Sequence, residues 1–457
     1  MLFVTSSMLN PCFAMKESLL STIFMEFVLM NNLISKLKIW LRATPIEDYF
    51  IPTVLLVLVF STDNRLILIT KQLAVVLTVA IFCFALVSRR SPSLSTIVGK
   101  IQTTFFILIC LSFFYTCDRL AYIQYFPYVI AVFFLTIFEF DGRFFSCLIK
   151  QFEFLFWVFI FSMYLELLAP SLFASFFGFL DLGSNRSAVV VDNGGAISGL
   201  AYEKGYAAFL CNMGLGVLFA KLFVKGFALT RLLQIVGVFA ALMMTGKRTL
   251  FLIPVMGLIV FALFFSKKHK FSIALGLSFA LVMSLAVADS LIPQVSLVFD
   301  RLFADNGDLL SGRQVIWTYA MQMFESSPLI GRGFLSFNSY INAHGFRYYG
   351  LLWNYQAHNV YLQLLAELGI VGFLLFVILL FTLAFGLIRS FLIWKDTQGA
   401  EPVILLTAVY WVMLIAVYSL TGNTIYYSCQ LVVLGICIAM YQTFRYKKAL
   451  WNNGTTC

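Results

Sequence analysis

Charge is what this 457-residue sequence has least of: 11% of its residues are Asp, Glu, Lys or Arg, against 61% that are apolar. A soluble domain is about half apolar and about a quarter charged, so a water-soluble fold could not bury this much hydrocarbon. Histidine is scarce too, with three in the chain. The nine cysteines are scattered, mostly in apolar blocks, and none forms a C-x-x-C pair. Neither a disulfide framework nor a zinc site is indicated. The longer polar stretches hold no D-x-D pair and no carboxylate grouped with a histidine at ligand spacing. No metal site and no cofactor are therefore expected, although Asp305 and Asp308 could bind a cation loosely. Internal repeats, low-complexity tracts and Pro-rich linkers are also missing.

What is there is a succession of apolar blocks of about twenty residues, the length a helix needs to cross the hydrocarbon core. Twelve spans are expected, at 45–62, 66–87, 101–117, 120–138, 152–170, 205–224, 229–246, 250–265, 271–288, 360–387, 402–420 and 427–443. The net charge of +10 does not point to nucleic acid, because Lys and Arg sit in small groups at block ends rather than along one face. With the N-terminus in the cytoplasm, most cations fall on the inner side, including Arg89, Arg90, Lys267, Lys268, Lys270, Arg389 and Lys395.

The fold class is thus all-α: a polytopic membrane protein with about twelve transmembrane helices and a large, partly helical periplasmic loop. Residues 1–44 read as a cytoplasmic or interfacial leader without a small-residue cleavage site. Residues 45–288 hold nine spans with an outer loop at 171–204, 289–359 form the large loop, 360–443 the last three spans, and 444–457 a cytoplasmic tail.

Candidate chemistry collects on the outer side. Ser311-Gly312-Arg313-Gln314 opens an amphipathic helix with a capping-box pattern, and Val315, Ile316, Tyr319, Met323 and Phe324 share one side of it. Arg313 in its first turn would add a charged fork to the free N–H groups there, a seat for phosphate, unless it pairs with Asp305 or Asp308. Arg248, in Thr245-Gly246-Lys247-Arg248-Thr249, lies at an outer span end where the positive-inside rule favours no cation. It either snorkels to headgroups or faces inward as an anion ligand. His358 stands at the mouth of the tenth span, either as a general base or as an interfacial histidine bound to a backbone carbonyl. Gly331-Arg332-Gly333 marks a turn with a further cation, and Arg347 with Tyr348 and Tyr349 offers a surface for stacking sugars.

The runs "SGRQVIW", "SSPLIGRGFLSF" and "AHNVYLQLLAELGIVG", from Ser311 to Gly372, resemble the signature region of the O-antigen ligase and polymerase superfamily of bacterial membrane glycosyltransferases. Arg248 in "TGKRTL" matches that family's arginine at a span end, with lysine where serine is usual. The resemblance implies a metal-independent, inverting transferase of the bacterial inner membrane, with both termini cytoplasmic and a periplasmic active site. It would take an undecaprenyl-pyrophosphate-linked oligosaccharide as donor and a glycan, or a lipid A core, as acceptor. On this reading Arg248 and Arg313 bind the pyrophosphate and His358 is the base, with auxiliary glycan or phosphate contacts at Arg332, Asn359, Arg347 and His344. A flippase and a chain-length regulator are candidate partners. Polymerisation of O-antigen or exopolysaccharide repeats is preferred over ligation to the core, because the donor and acceptor would both be pyrophosphate lipids and the outer segments are rich in arginine. From another class, a multi-pass polysaccharide or small-molecule transporter is the rival, but transporters usually show paired halves and broken polar helices.

Overall fold

The computed structural model describes residues 49–60, 66–87, 94–177, 196–201, 203–265, 313–346 and 355–452. Its regular elements are helices: α1 Ile51–Phe60, α2 Leu66–Val87, α3 Ile97–Ser112, α4 Arg119–Ile137, α5 Gly142–Leu168, α6 Pro170–Phe177, α7 Lys204–Lys225, α8 Leu229–Met244, α9 Arg248–Phe265, α10 Arg313–Ser326, α11 Phe337–Ala343, α12 Val360–Trp394, α13 Glu401–Tyr418 and α14 Ser428–Asn452. Six of them, α4, α5, α7, α12, α13 and α14, are long and apolar enough to cross a membrane. Shorter apolar helices stand at Ile51–Phe60, Gln72–Ile81, Ile97–Ser112, Leu229–Met244 and Thr249–Ala262, all at expected spans. The expected span 271–288 lies outside the described residues.

Helix α7 is the axis of the bundle, buried almost without interruption from Gly205 to Phe223. Its glycines explain how. A Cβ on Gly214 would meet the Phe156 ring at 2.0 Å and one on Gly216 the Tyr410 ring at 2.5 Å, so α5 and α13 approach closer than any side chain would allow. Three polar groups in this apolar interior are paired around α7. The Tyr410 hydroxyl donates to Asn212 Oδ1 at 3.1 Å, Asn212 Nδ2 donates to the Leu250 carbonyl at 2.9 Å, and the Trp411 indole to the Met213 carbonyl at 3.0 Å.

Side chains at helix termini sort the bundle into two ends. At one, Gln442 donates to Thr96 at 3.0 Å, the Phe140 N–H to Thr443 at 3.2 Å and the Trp394 indole to the Phe444 carbonyl at 3.0 Å. At the other, Ser339 donates to Asp118 at 2.6 Å, the Gly199 N–H to Glu166 at 2.7 Å and the Val360 N–H to the Ser419 carbonyl at 2.8 Å. The starts of α4, α7, α9, α12 and α14 and the ends of α3, α5, α8 and α13 gather at this second end, where α10 and α11 also lie.

The Pro328–Phe337 turn is fastened to α12 there. Glu367, fully buried, accepts the N–H of Leu335 at 2.8 Å and of Phe337 at 3.0 Å. Opposing glycines permit the contact: a Cβ on Gly331 would sit 2.2 Å from the Glu367 carbonyl carbon, and one on Gly369 2.3 Å from that of Leu329. Gly369 itself leaves helical geometry, with φ 65° and ψ −168°, and kinks α12.

Candidate functional site

Helix α10 carries two anchors one turn apart, so both project from the same face. The Arg313 guanidinium donates to the Thr421 carbonyl at 3.2 Å, in the turn between α13 and α14. The Trp317 indole donates to the Ala357 carbonyl at 2.9 Å, in the peptide just before His358. Two residues beyond Thr421, the Asn423 amide nitrogen lies 3.2 Å from His358 Nδ1. Arginine, turn, imidazole and tryptophan thus form a closed loop of contacts that ties α10 to the start of α12.

The backbone under His358 is fixed on every side. The Ala357 N–H donates to Gln363 Oε1 at 3.0 Å, and Gln363 in turn donates to Glu367 at 3.1 Å and to Gln356 at 2.6 Å. Asn359 is the N-cap of α12, its Oδ1 accepting the Leu362 N–H at 3.1 Å. Between these clamps His358 adopts φ 49°, a left-handed conformation uncommon for residues other than glycine, although asparagine, aspartate and histidine enter it more often than the rest. Such local strain persists only where the surroundings over-determine it.

Electrostatics set the ring's protonation. Burial first, then the positive charges of Arg313 and Lys247, push the His358 imidazole down from 6.5 to about 4, against a smaller upward pull from Glu203. The ring is therefore uncharged at neutral pH. Burial also lowers the proton affinity of Arg313. Lys247 follows Gly246, whose φ of 66° turns the chain from α8 into α9, and its ammonium pairs with Glu203 at 3.4 Å.

Sequence reasoning names two of the groups the structure brings together here, Arg313 and His358. Arg248 opens α9 beside Lys247, so its backbone is at the same end, but its side chain lies outside the described part of the structure, as do Arg347, Ser311, Asp305 and Asp308. Arg332 Nε donates to Ser326 at 2.8 Å in the exposed turn after α10. His344 rests on the Tyr340 ring, centroids 4.1 Å apart, with Nδ1 at 2.8 Å from the Tyr340 carbonyl. No described interaction links either to His358. Lys247, Glu203, Thr421 and Asn423 are the groups that sequence reasoning passed over. One signal was available for the last two: Thr421-Gly422-Asn423-Thr424 is a polar turn between two apolar blocks on the same side as His358. Among the described residues no three His, Cys, Asp or Glu side chains cluster as metal ligands do.

Residues 233–377 match the family model for O-antigen ligase. Over that region the match supports the likeness to the O-antigen ligase and polymerase superfamily. No curated protein matches it. The O-antigen ligase region contains Lys247, Arg248, Arg313, Trp317 and His358, whereas Glu203, Thr421 and Asn423 reach the same site from outside it. The matched region supports a ligase- or polymerase-type function, with a lipid-linked glycan and an acceptor as the substrate classes.

Proposed function

We propose that the protein joins glycan chains by attack of an acceptor hydroxyl on the anomeric carbon of a sugar held on undecaprenyl pyrophosphate, at the periplasmic face of the bacterial inner membrane. The observation that carries this reading is an uncharged, half-buried imidazole set among cations at one end of an apolar bundle. The step needs two things. Negative charge develops on the departing pyrophosphate oxygen as the carbon–oxygen bond breaks, and guanidinium forks stabilise it without a metal. Arg313 and Arg248 take that role, with Lys247 beside them. The attacking hydroxyl must lose a proton as its bond to carbon forms, and His358 receives it. The leaving group is the lipid pyrophosphate, and attack from the opposite face inverts the anomeric centre.

An imidazole held near 4 is a weak base in the empty site. An arriving diphosphate changes that, because its negative charge offsets the fields of Arg313 and Lys247 and raises the ring's proton affinity as the substrate binds. The ring thus stays uncharged until the anion that needs it is present.

We read the reaction as polymerisation of repeat units, with ligation to a lipid A core as the alternative. The polymerase would accommodate two pyrophosphate lipids, which suits the number of cations at this end. The cation-rich opposite end, with Lys150, Lys221, Lys225, Arg231, Arg389 and Arg445, supports a cytoplasmic assignment for that side. Purified protein given defined lipid-linked repeat units, with and without a core acceptor, tests the proposal. His358→Ala and Arg313→Ala should each lower turnover by about a hundredfold or more. Native rates in either variant would overturn the assignment. Elongation without core acceptor indicates the polymerase, and transfer only when core is supplied indicates the ligase.

A further inference from the structure

The base role of His358 requires a lone pair on the ring nitrogen that meets the acceptor, and the partner of Nδ1 decides whether Nε2 has one. That partner is Asn423, which is 1% exposed and is supplied by the turn between α13 and α14, outside the matched O-antigen ligase region. Its Nδ2 lies 3.2 Å from Nδ1. An amide nitrogen can only donate, so in this arrangement Nδ1 holds the lone pair and the ring proton sits on Nε2. That tautomer can hydrogen-bond an oxygen of the substrate but cannot accept its proton.

A half-turn of the amide reverses the assignment. Oδ1 would then accept from Nδ1–H, and Nε2 would be left with its lone pair toward the acceptor. Little holds the amide in the first orientation: among the described residues the buried Oδ1 has no hydrogen-bond partner, so turning it sacrifices no bond that it makes. The Tyr427 phenol also hydrogen-bonds the Asn423 side chain. A phenol can donate as well as accept, so it can serve either orientation.

We propose that Asn423 is a positioning residue whose side-chain amide selects the tautomer of His358, and with it whether Nε2 presents a proton or a lone pair to the substrate. For catalysis this rests on the transferase reading above, but the tautomer itself can be measured without any turnover.

His269→Gln and His344→Gln leave His358 as the only imidazole, so 15N-histidine-labelled protein in detergent reports its two nitrogens alone. The parent should show the proton on Nε2. Asn423→Asp, which offers only acceptors, should move it to Nδ1, and Asn423→Ala should give a mixture of both forms. The empty parent rests with the amide nitrogen on Nδ1, and turnover requires the loaded site to turn the amide so that Oδ1 holds Nδ1–H. In the transfer assay Asn423→Ala, which cannot hold it, should therefore lose roughly tenfold or more in kcat, with donor KM within about twofold. Asn423→Asp should recover part of that loss. Its acid limb should move upward, because the new carboxylate adds to Glu203 against Arg313 and Lys247 in the field at the ring. If Asn423→Asp does not fold, Asn423→Ala decides alone: parental tautomer and parental kcat in that variant overturn the proposal. An inert parent whose tautomer still follows residue 423 would instead overturn the transferase reading and leave the positioning role standing.

Discussion

At the scale of single residues, the site is a set of opposed charges around a neutral ring. Arg313 and Lys247 both lower the proton affinity of His358 and Glu203 raises it, so each can be removed with a known sign. In the empty protein the ring is uncharged at any pH well above about 4. The acid limb of kcat/KM, which reports the free enzyme, should therefore lie far below neutrality, and that of kcat, which reports the loaded enzyme, should lie above it. Lys247→Gln removes a positive charge and should shift the kcat/KM limb upward, whereas Glu203→Gln should shift it downward. Transfer rates measured across the acid range check both directions, and a limb that ignores both substitutions would mean that another group controls it. The sequence singles out Arg313 and His358 because each stands in a spaced motif, and the structure brings both against the turn between α13 and α14. Lys247 was read only as a stand-in for serine next to Arg248. Asn423 is visible in the sequence only as part of a polar turn, since nothing there says which short turn folds back onto the histidine sixty-five residues earlier.

At the scale of elements, apolar spacing located the helices better than their ends. Most of the expected span 152–170 is the second part of α5, which begins at Gly142 beyond Asp141 and ends at Leu168, because charged Arg143 and Lys150 can belong to a helix that has left the hydrocarbon. Hydropathy marks the bilayer, and hydrogen bonding and backbone geometry mark the helix. α10 is described from Arg313, its expected cap Ser311 lying outside the described residues; of its expected apolar side Met323 is buried, together with Ala320, whereas Val315 is exposed. The packing of this layer follows Trp317 and the Phe337 segment, which no single-helix pattern contains. Gly369 is a sharper case: its φ of 65° and the Leu329 backbone within 2.3 Å of any Cβ leave room for no side chain. Gly369→Ala should cost about 2 kcal/mol or more, seen as a lower melting temperature in detergent. It should also depress transfer, since the same stretch of α12 carries Glu367 and Gln363, which hold the peptide before His358.

At the scale of the whole molecule, the two ends of the bundle differ in what they do with charge. The end bearing Arg389 and Lys395 presents scattered cations, and at the end bearing His358 a chain of contacts runs from Arg313 through the α13–α14 turn to the imidazole. In a cysteine-free background, His344→Cys should react with a membrane-impermeant thiol reagent on intact spheroplasts, and Lys395→Cys only after the membrane is opened. The reverse pattern would invert the orientation. The polar turn from Ser419 to Tyr427 has one more consequence, for protein engineering. It grips both the arginine and the imidazole of a region whose family boundary stops at residue 377. A chimera spliced at that boundary would import the reactive groups and leave behind the carbonyl and the amide that aim them. Grafts of 233–377 into a distant relative should therefore be inert, and extending the transplanted segment through residue 427 should restore turnover.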